Sequence, residues 1–136
     1  MILNLHFDNI MENTFYNDGV YIMLDPNCTY QVAVRHLHIG LSANQITKDN
    51  DLWCLSTNLI DRSPTNEYQA LSYFTLNRGK INHDCTPTSV LFYPLETHQL
   101  ENPQFLFQRI SKEKKINIDQ VFVQLEIKKC LDSVNH

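Results

Sequence analysis

From Val121 to Lys128 the chain reads Val-Phe-Val-Gln-Leu-Glu-Ile-Lys, with an aliphatic residue at every second position. Successive side chains of a strand point to opposite faces. Val121, Val123, Leu125 and Ile127 therefore share one face, and Gln124, Glu126 and Lys128 share the other. One apolar and one polar face is the pattern of a strand in an antiparallel sheet with one side buried. The segment Gln104 to Ile110 is the natural neighbour. It would be joined through a polar turn over Ser111 to Lys115, with Ile116 to Ile118 as the return.

The same period-two pattern governs the rest of the chain, and no long helix is expected. Tyr30 to Leu41 is a long apolar strand with one irregularity. Val32 and Val34 have one parity, while Leu37, Ile39 and Leu41 have the other. Alternation is strict within a strand, so the change of parity places a bulge, or a corner between sheets, between Val34 and Leu37. Leu3 to Phe7, Thr14 to Leu24, Trp53 to Ile60 and Tyr68 to Leu76 supply further strands. Ser89 to Leu95 supplies another, and Pro94 places it at an edge or an end. Asn17-Asp18-Gly19 and Asn77-Arg78-Gly79 are hairpin signals, and Asp25-Pro26-Asn27 and Asp61-Arg62-Ser63-Pro64 read as loops. About eight short strands at regular spacing predict an all-β chain. The expectation is a single jelly-roll β-sandwich of antiparallel strands spanning residues 1–136.

The 136 residues are 43% hydrophobic, enough for a core without disulfide or metal staples. Charged residues make up 19%, below the usual share of about a quarter. A formal charge of −4 argues against a sequence-independent grip on nucleic acid. The basic cluster Lys112, Lys114, Lys115, Lys128 and Lys129 reads as a solvated turn and strand end. No run reaches the ~20 apolar residues of a membrane helix, and the start lacks the marks of a signal peptide. A cytosolic or nuclear chain is expected. Cys28, Cys54, Cys85 and Cys130 lack the close pairing of a zinc site and read as free thiols.

His36 and His38 alternate on one strand, so both imidazoles point to one face. A metal site of the cupin type would add a carboxylate soon after, and the next is Asp49. His83 and His98 fall in loop-like sequence. The pair therefore reads as two polar residues on a solvated face. His83-Asp84-Cys85 places a base beside a thiol, but neighbours in a loop rarely converge on one point. No phosphate-binding loop, nucleophile elbow or metalloprotease helix motif is present. The expectation is a non-enzymatic chain with no cofactor and no metal.

Phe15/Tyr16, Tyr73/Phe74 and Phe92/Tyr93 are adjacent aromatics, so one of each pair must leave the core. Outward aromatics with few charges suit an assembly interface, or a carbohydrate groove.

The order of these pieces resembles a known group. Tyr30-Gln-Val-Ala-Val-Arg-His-Leu-His-Ile39 is followed by Leu52-Trp-Cys-Leu-Ser-Thr-Asn-Leu-Ile60. Then come Gln69 to Phe74, Val90-Leu-Phe-Tyr-Pro-Leu95, Phe105 to Ile110 and Val121 to Ile127. This series is similar to the jelly-roll minor capsid (penton-type) proteins of Polinton and adintovirus-like elements and of related small invertebrate DNA viruses. The resemblance implies a virion structural protein, found in host cytoplasm or nucleus during assembly. It would self-associate, for instance as a pentamer, and pack beside other shell proteins. The contact residues expected are Tyr16, Tyr73, Tyr93, Phe122 and the loop from Arg62 to Tyr68. The rival readings are a trimeric ligand-binding or lectin-like module and a cupin-type metalloprotein using His36 and His38.

Overall fold

A computed structural model describes residues 1–7, 9–11, 14–16, 21–41, 51–60, 69–76, 82–87, 90–101, 103–109 and 118–130. These residues form twelve strand segments and no helix. They are β1 (Ile2–Phe7), β2 (Asn9–Met11), β3 (Thr14–Tyr16), β4 (Tyr21–Met23), β5 (Tyr30–Leu41), β6 (Asp51–Thr57), β7 (Gln69–Leu76), β8 (Asn82–Cys85), β9 (Tyr93–Pro94), β10 (Gln99–Glu101), β11 (Gln104–Arg109) and β12 (Ile118–Lys129). The chain is all-β, and every strand pair is antiparallel. The surplus over about eight comes from segments of two or three residues, such as β2, β4, β9 and β10.

One sheet runs β1-β12-β5-β8, with β9 also paired to β5, and the other runs β2-β3-β11-β6-β7. The ribbon β10-β4 is separate. In β12, Val121, Val123, Leu125 and Ile127 are all buried, as the alternation requires. Its neighbours are β1 and β5, however, and not β11. The expected pairing of Gln104–Ile110 with Val121–Lys128 is thus corrected. Both strands carry a continuous apolar inner face, and placing them in opposite sheets lets those faces share one core. The turn expected at Ser111 to Lys115 lies outside the described residues. So do the hairpin signals at Asn17-Asp18-Gly19 and Asn77-Arg78-Gly79 and the loop at Asp61 to Pro64.

The parity change in Tyr30–Leu41 is a bulge. Gln124 pairs with His36 and Leu125 with Val34, so Arg35 is the extra residue. Inserting it turns Val32 and Val34 inward together with Leu37, Ile39 and Leu41. The Arg35 guanidinium reaches back to Glu126 of the partner strand at 3.1 Å. The Asp25-Pro26-Asn27 loop is a tight turn in which the Cys28 N–H donates to the Asp25 carbonyl at 3.1 Å. The Asp25 carboxylate accepts the Asn27 N–H at 3.0 Å. That backbone bond, aided by Cys28, holds the Asp25 carboxyl below its usual range.

A single core joins the two sheets. The Phe7 ring of one meets Phe105 of the other edge to face at 5.4 Å. Ile22 and Leu100 of the ribbon join the same core. Trp53 is buried at its centre, stacked on Phe107 at 4.9 Å with an 8° tilt. Its indole N–H meets no acceptor among the described residues. Thr57, also buried, donates its hydroxyl proton to the Gln104 carbonyl at 3.0 Å and accepts the Leu59 N–H at 3.3 Å. That hydroxyl satisfies backbone groups where β6 leaves the sheet.

Trp53 therefore contributes through its area and not through its polar atom. Trp53→Ala is expected to lower stability by about 3–5 kcal/mol. Trp53→Phe, which keeps a ring against Phe107 and removes the unsatisfied N–H, should lose less than half as much. Urea unfolding of both variants checks this, and equal losses would show that the indole N–H has a partner.

Candidate functional site

The outer face of the sheet β1-β12-β5-β8 is polar and built in rows. Register aligns His6, Phe122, His38 and Asp84 across four strands, and beside them Asn4, Gln124 and His36. Phe122 is half-buried here, its ring 4.8 Å from that of His6 and 6.3 Å from that of His36. Gln124 donates to the Asn4 side chain at 3.0 Å.

The carboxylate that the sequence lacked after the His pair comes from β8. Oδ1 of Asp84 lies 2.8 Å from Nδ1 of His38 and 3.2 Å from Nε2 of His36. A carboxylate only accepts, so each ring turns a protonated nitrogen toward Asp84. These bonds, with His38 foremost, hold the Asp84 carboxyl below its usual range. The result is a clasp that ties the short edge strand β8 to β5. Among the described residues no group of three His, Cys, Asp or Glu side chains is placed to hold a metal ion.

The loop expected around His83-Asp84-Cys85 is corrected: these residues form β8, paired with Leu37–Gly40 of β5. Strand alternation puts His83 into the interior and Asp84 on the outside. Burial pushes the Cys85 thiol up to about 11, and the Asp84 charge adds to the effect. A thiol held in its protonated form is a poor nucleophile. His83 and Asp84 point to opposite faces, so no base–orienter arrangement forms from this tripeptide.

An open cavity of about 470 Å³ lies at the end of the same face, lined by His6, His38, Phe122, Asp119 and Gln120 among others. It combines the rings of Phe7 and Phe122 with several hydrogen-bonding side chains.

The outer face of the second sheet differs in kind. Register aligns Leu52 with Thr75, Cys54 with Tyr73, and Leu106 with Ser56. Leu52 is 47% exposed and Tyr73 is 55% exposed. The Cys54 thiol beside Tyr73 raises the phenol above its ordinary range, followed by desolvation, and Tyr93 is near enough to contribute.

The predicted contact residues scatter over this frame. Tyr73 projects from β7 on the outer face of the second sheet, and Phe122 sits on the polar face of the first. Tyr93 is half-buried against the core on β9, so truncating it would remove packing as well as surface. Tyr16 occupies a register position in β3 opposite Gln104. Arg62 and Tyr68 lie outside the described residues. The Asp84 clasp escapes a reading of the sequence because its two bonds span 46 and 48 residues. Its one sequence signal is the His36/His38 alternation.

Comparison with protein-family models, with curated proteins and with solved structures finds no match.

Asp84 is held below the usual carboxylate range in the folded chain, so its contribution is present at neutral pH. It is lost as pH falls through that depressed value. Asp84→Ala is therefore expected to lower the urea midpoint at neutral pH. The gap to the parent chain should close in strong acid, where the parent carboxyl is protonated as well. A gap that stays constant across the titration would show that the clasp does not couple β8 to the sheet.

Proposed function

We propose that this chain is a jelly-roll shell subunit, a viral or virus-derived capsid structural protein that self-assembles and packs beside other shell proteins. The observation that carries the reading is the strand order. Take β1, β3, β5, β6, β7, β8, β11 and β12 as eight principal strands. The first then pairs with the eighth, the second with the seventh, the third with the sixth and the fourth with the fifth. Those four pairings support reading the chain as one long hairpin rolled up into two facing sheets, as in a jelly roll.

Such a domain suits a shell. Two sheets on one core make a stiff block, and loops gathered at its ends vary their contacts while the core is kept. Fold alone does not fix function, because lectins and cupins use the same architecture. Support for assembly comes from the low charge content and from exposed aromatics such as Tyr73. The resemblance of its ordered strand sequences to those of penton-type minor capsid proteins adds to it. The self-associating species expected is a closed ring, a pentamer foremost.

A second reading, a ligand-binding or lectin-like module acting as a trimer, is favoured by the cavity beside Phe122. An aromatic ring among His, Asp and Gln side chains is a surface on which a sugar can stack and hydrogen-bond.

Light scattering of the purified chain, with negative-stain imaging of the same fractions, tests the first reading. A discrete closed multimer is the expected result. A trimer that also binds on a glycan panel would overturn it in favour of the second.

A further inference from the structure

Seven large hydrophobic side chains are well exposed among the described residues: Met1, Ile2, Tyr21, Met23, Leu52, Tyr73 and Leu91. Most have a charge close by. Ile2 is in register with Glu126, and Tyr21 is in register with Glu101 on the ribbon that also carries Met23. Leu91 precedes Phe92, over whose ring the Lys128 ammonium lies at 5.5 Å. Leu52 and Tyr73 differ. Their cross-strand partners are Thr75 and Cys54, and the next row holds Leu106 and Ser56. No described side chain on this outer face of β6, β7 and β11 carries a charge. The opposite outer face carries Arg35, Glu126, Asp84 and Lys128.

We propose that the outer face of β6, β7 and β11 is the contact between two copies of this chain, packed face to face with Leu52 and Tyr73 at its centre. The proposal rests on the self-assembly reading above and adds to it a two-fold contact between pairs of copies, separate from the head-to-tail contacts that would close a ring. Charge selects the occupant. Each copy bears a formal charge of −4, so two copies repel at a distance and meet best where charge is absent. A partner of opposite charge would be drawn to a charged face. The described side chains of this face carry no charge, so it can meet its own copy there without burying an unpaired ion.

The test compares the full chain with Tyr73→Lys, with Thr75→Lys and with Gln124→Lys on the opposite sheet. Sedimentation equilibrium measures association, and far-UV circular dichroism with urea unfolding checks that each variant folds. Tyr73 and Thr75 are exposed, so both lysines should be accommodated by the folded subunit. Two lysines brought together across the contact are expected to weaken association by about a hundredfold or more. Gln124→Lys should associate like the parent. A parent that associates while folded Tyr73→Lys and Thr75→Lys associate equally well overturns this face and leaves the assembly reading standing. A parent that remains monomeric at every concentration overturns both.

Discussion

β12 is the strand on which the rest of the molecule depends. It hydrogen-bonds along most of its length to β1 on one side and β5 on the other, and its four inward aliphatic residues are buried. A slip of one residue would turn all four to solvent, at about 1.5–3 kcal/mol for each side chain. The register of β12 therefore fixes where β1 and β5 lie, and β5 in turn fixes β8 and β9. The bulge at Arg35 is the adjustment that makes this possible over the length of β5. Without it, either Val32 and Val34 or Leu37, Ile39 and Leu41 would face water. The ion pair from Arg35 to Glu126 places the inserted residue's charge on the outer side, next to a partner of opposite sign.

What the sequence reveals follows the strength of its pattern. The bounds of β5 and the bulge within it are legible because only a bulge or a corner changes the parity of a long apolar strand. The inner face of β12 is legible because its alternation is unbroken. β8 is not, because Asn82-His83-Asp84-Cys85 holds no β-branched or aromatic residue and looks like a turn. Its strand form comes from tertiary pairing to Leu37–Gly40 and from the two imidazoles that grip Asp84. The hairpin expected between β11 and β12 fails because closeness in sequence is a weaker guide than the need of two apolar faces for cover. Each finds that cover in the opposite sheet.

The candidate surfaces were legible only in part. Adjacent aromatics require that one of each pair leave the core, and Tyr73 with Phe74 obeys this: Phe74 is buried and Tyr73 is exposed. Parity does not say what surrounds the outward member. Tyr93 turns out to be packed against the core, and Phe122 lies among histidines. The surroundings depend on which strands are neighbours, and that is set by long-range pairing. The same holds for Asp84, whose meaning appears only when β8 is laid beside β5.

The two outer faces divide the polar work of the molecule. On the sheet built around β12, charges occur in pairs or networks: Arg35 with Glu126, Asp84 with two histidines, and Lys128 over an aromatic ring. Water solvates such a face readily, and stripping that water away is costly unless a partner replaces each bond. On the sheet built around β6, the outward groups of the described residues include hydroxyls, a thiol, a phenol, an amide and aliphatic side chains. Removing water from these costs far less, and Leu52 and Tyr73 gain by leaving it. Among the described residues, the charge pairs and networks lie on the sheet built around β12, and the outward side chains of β6 and β7 carry no charge.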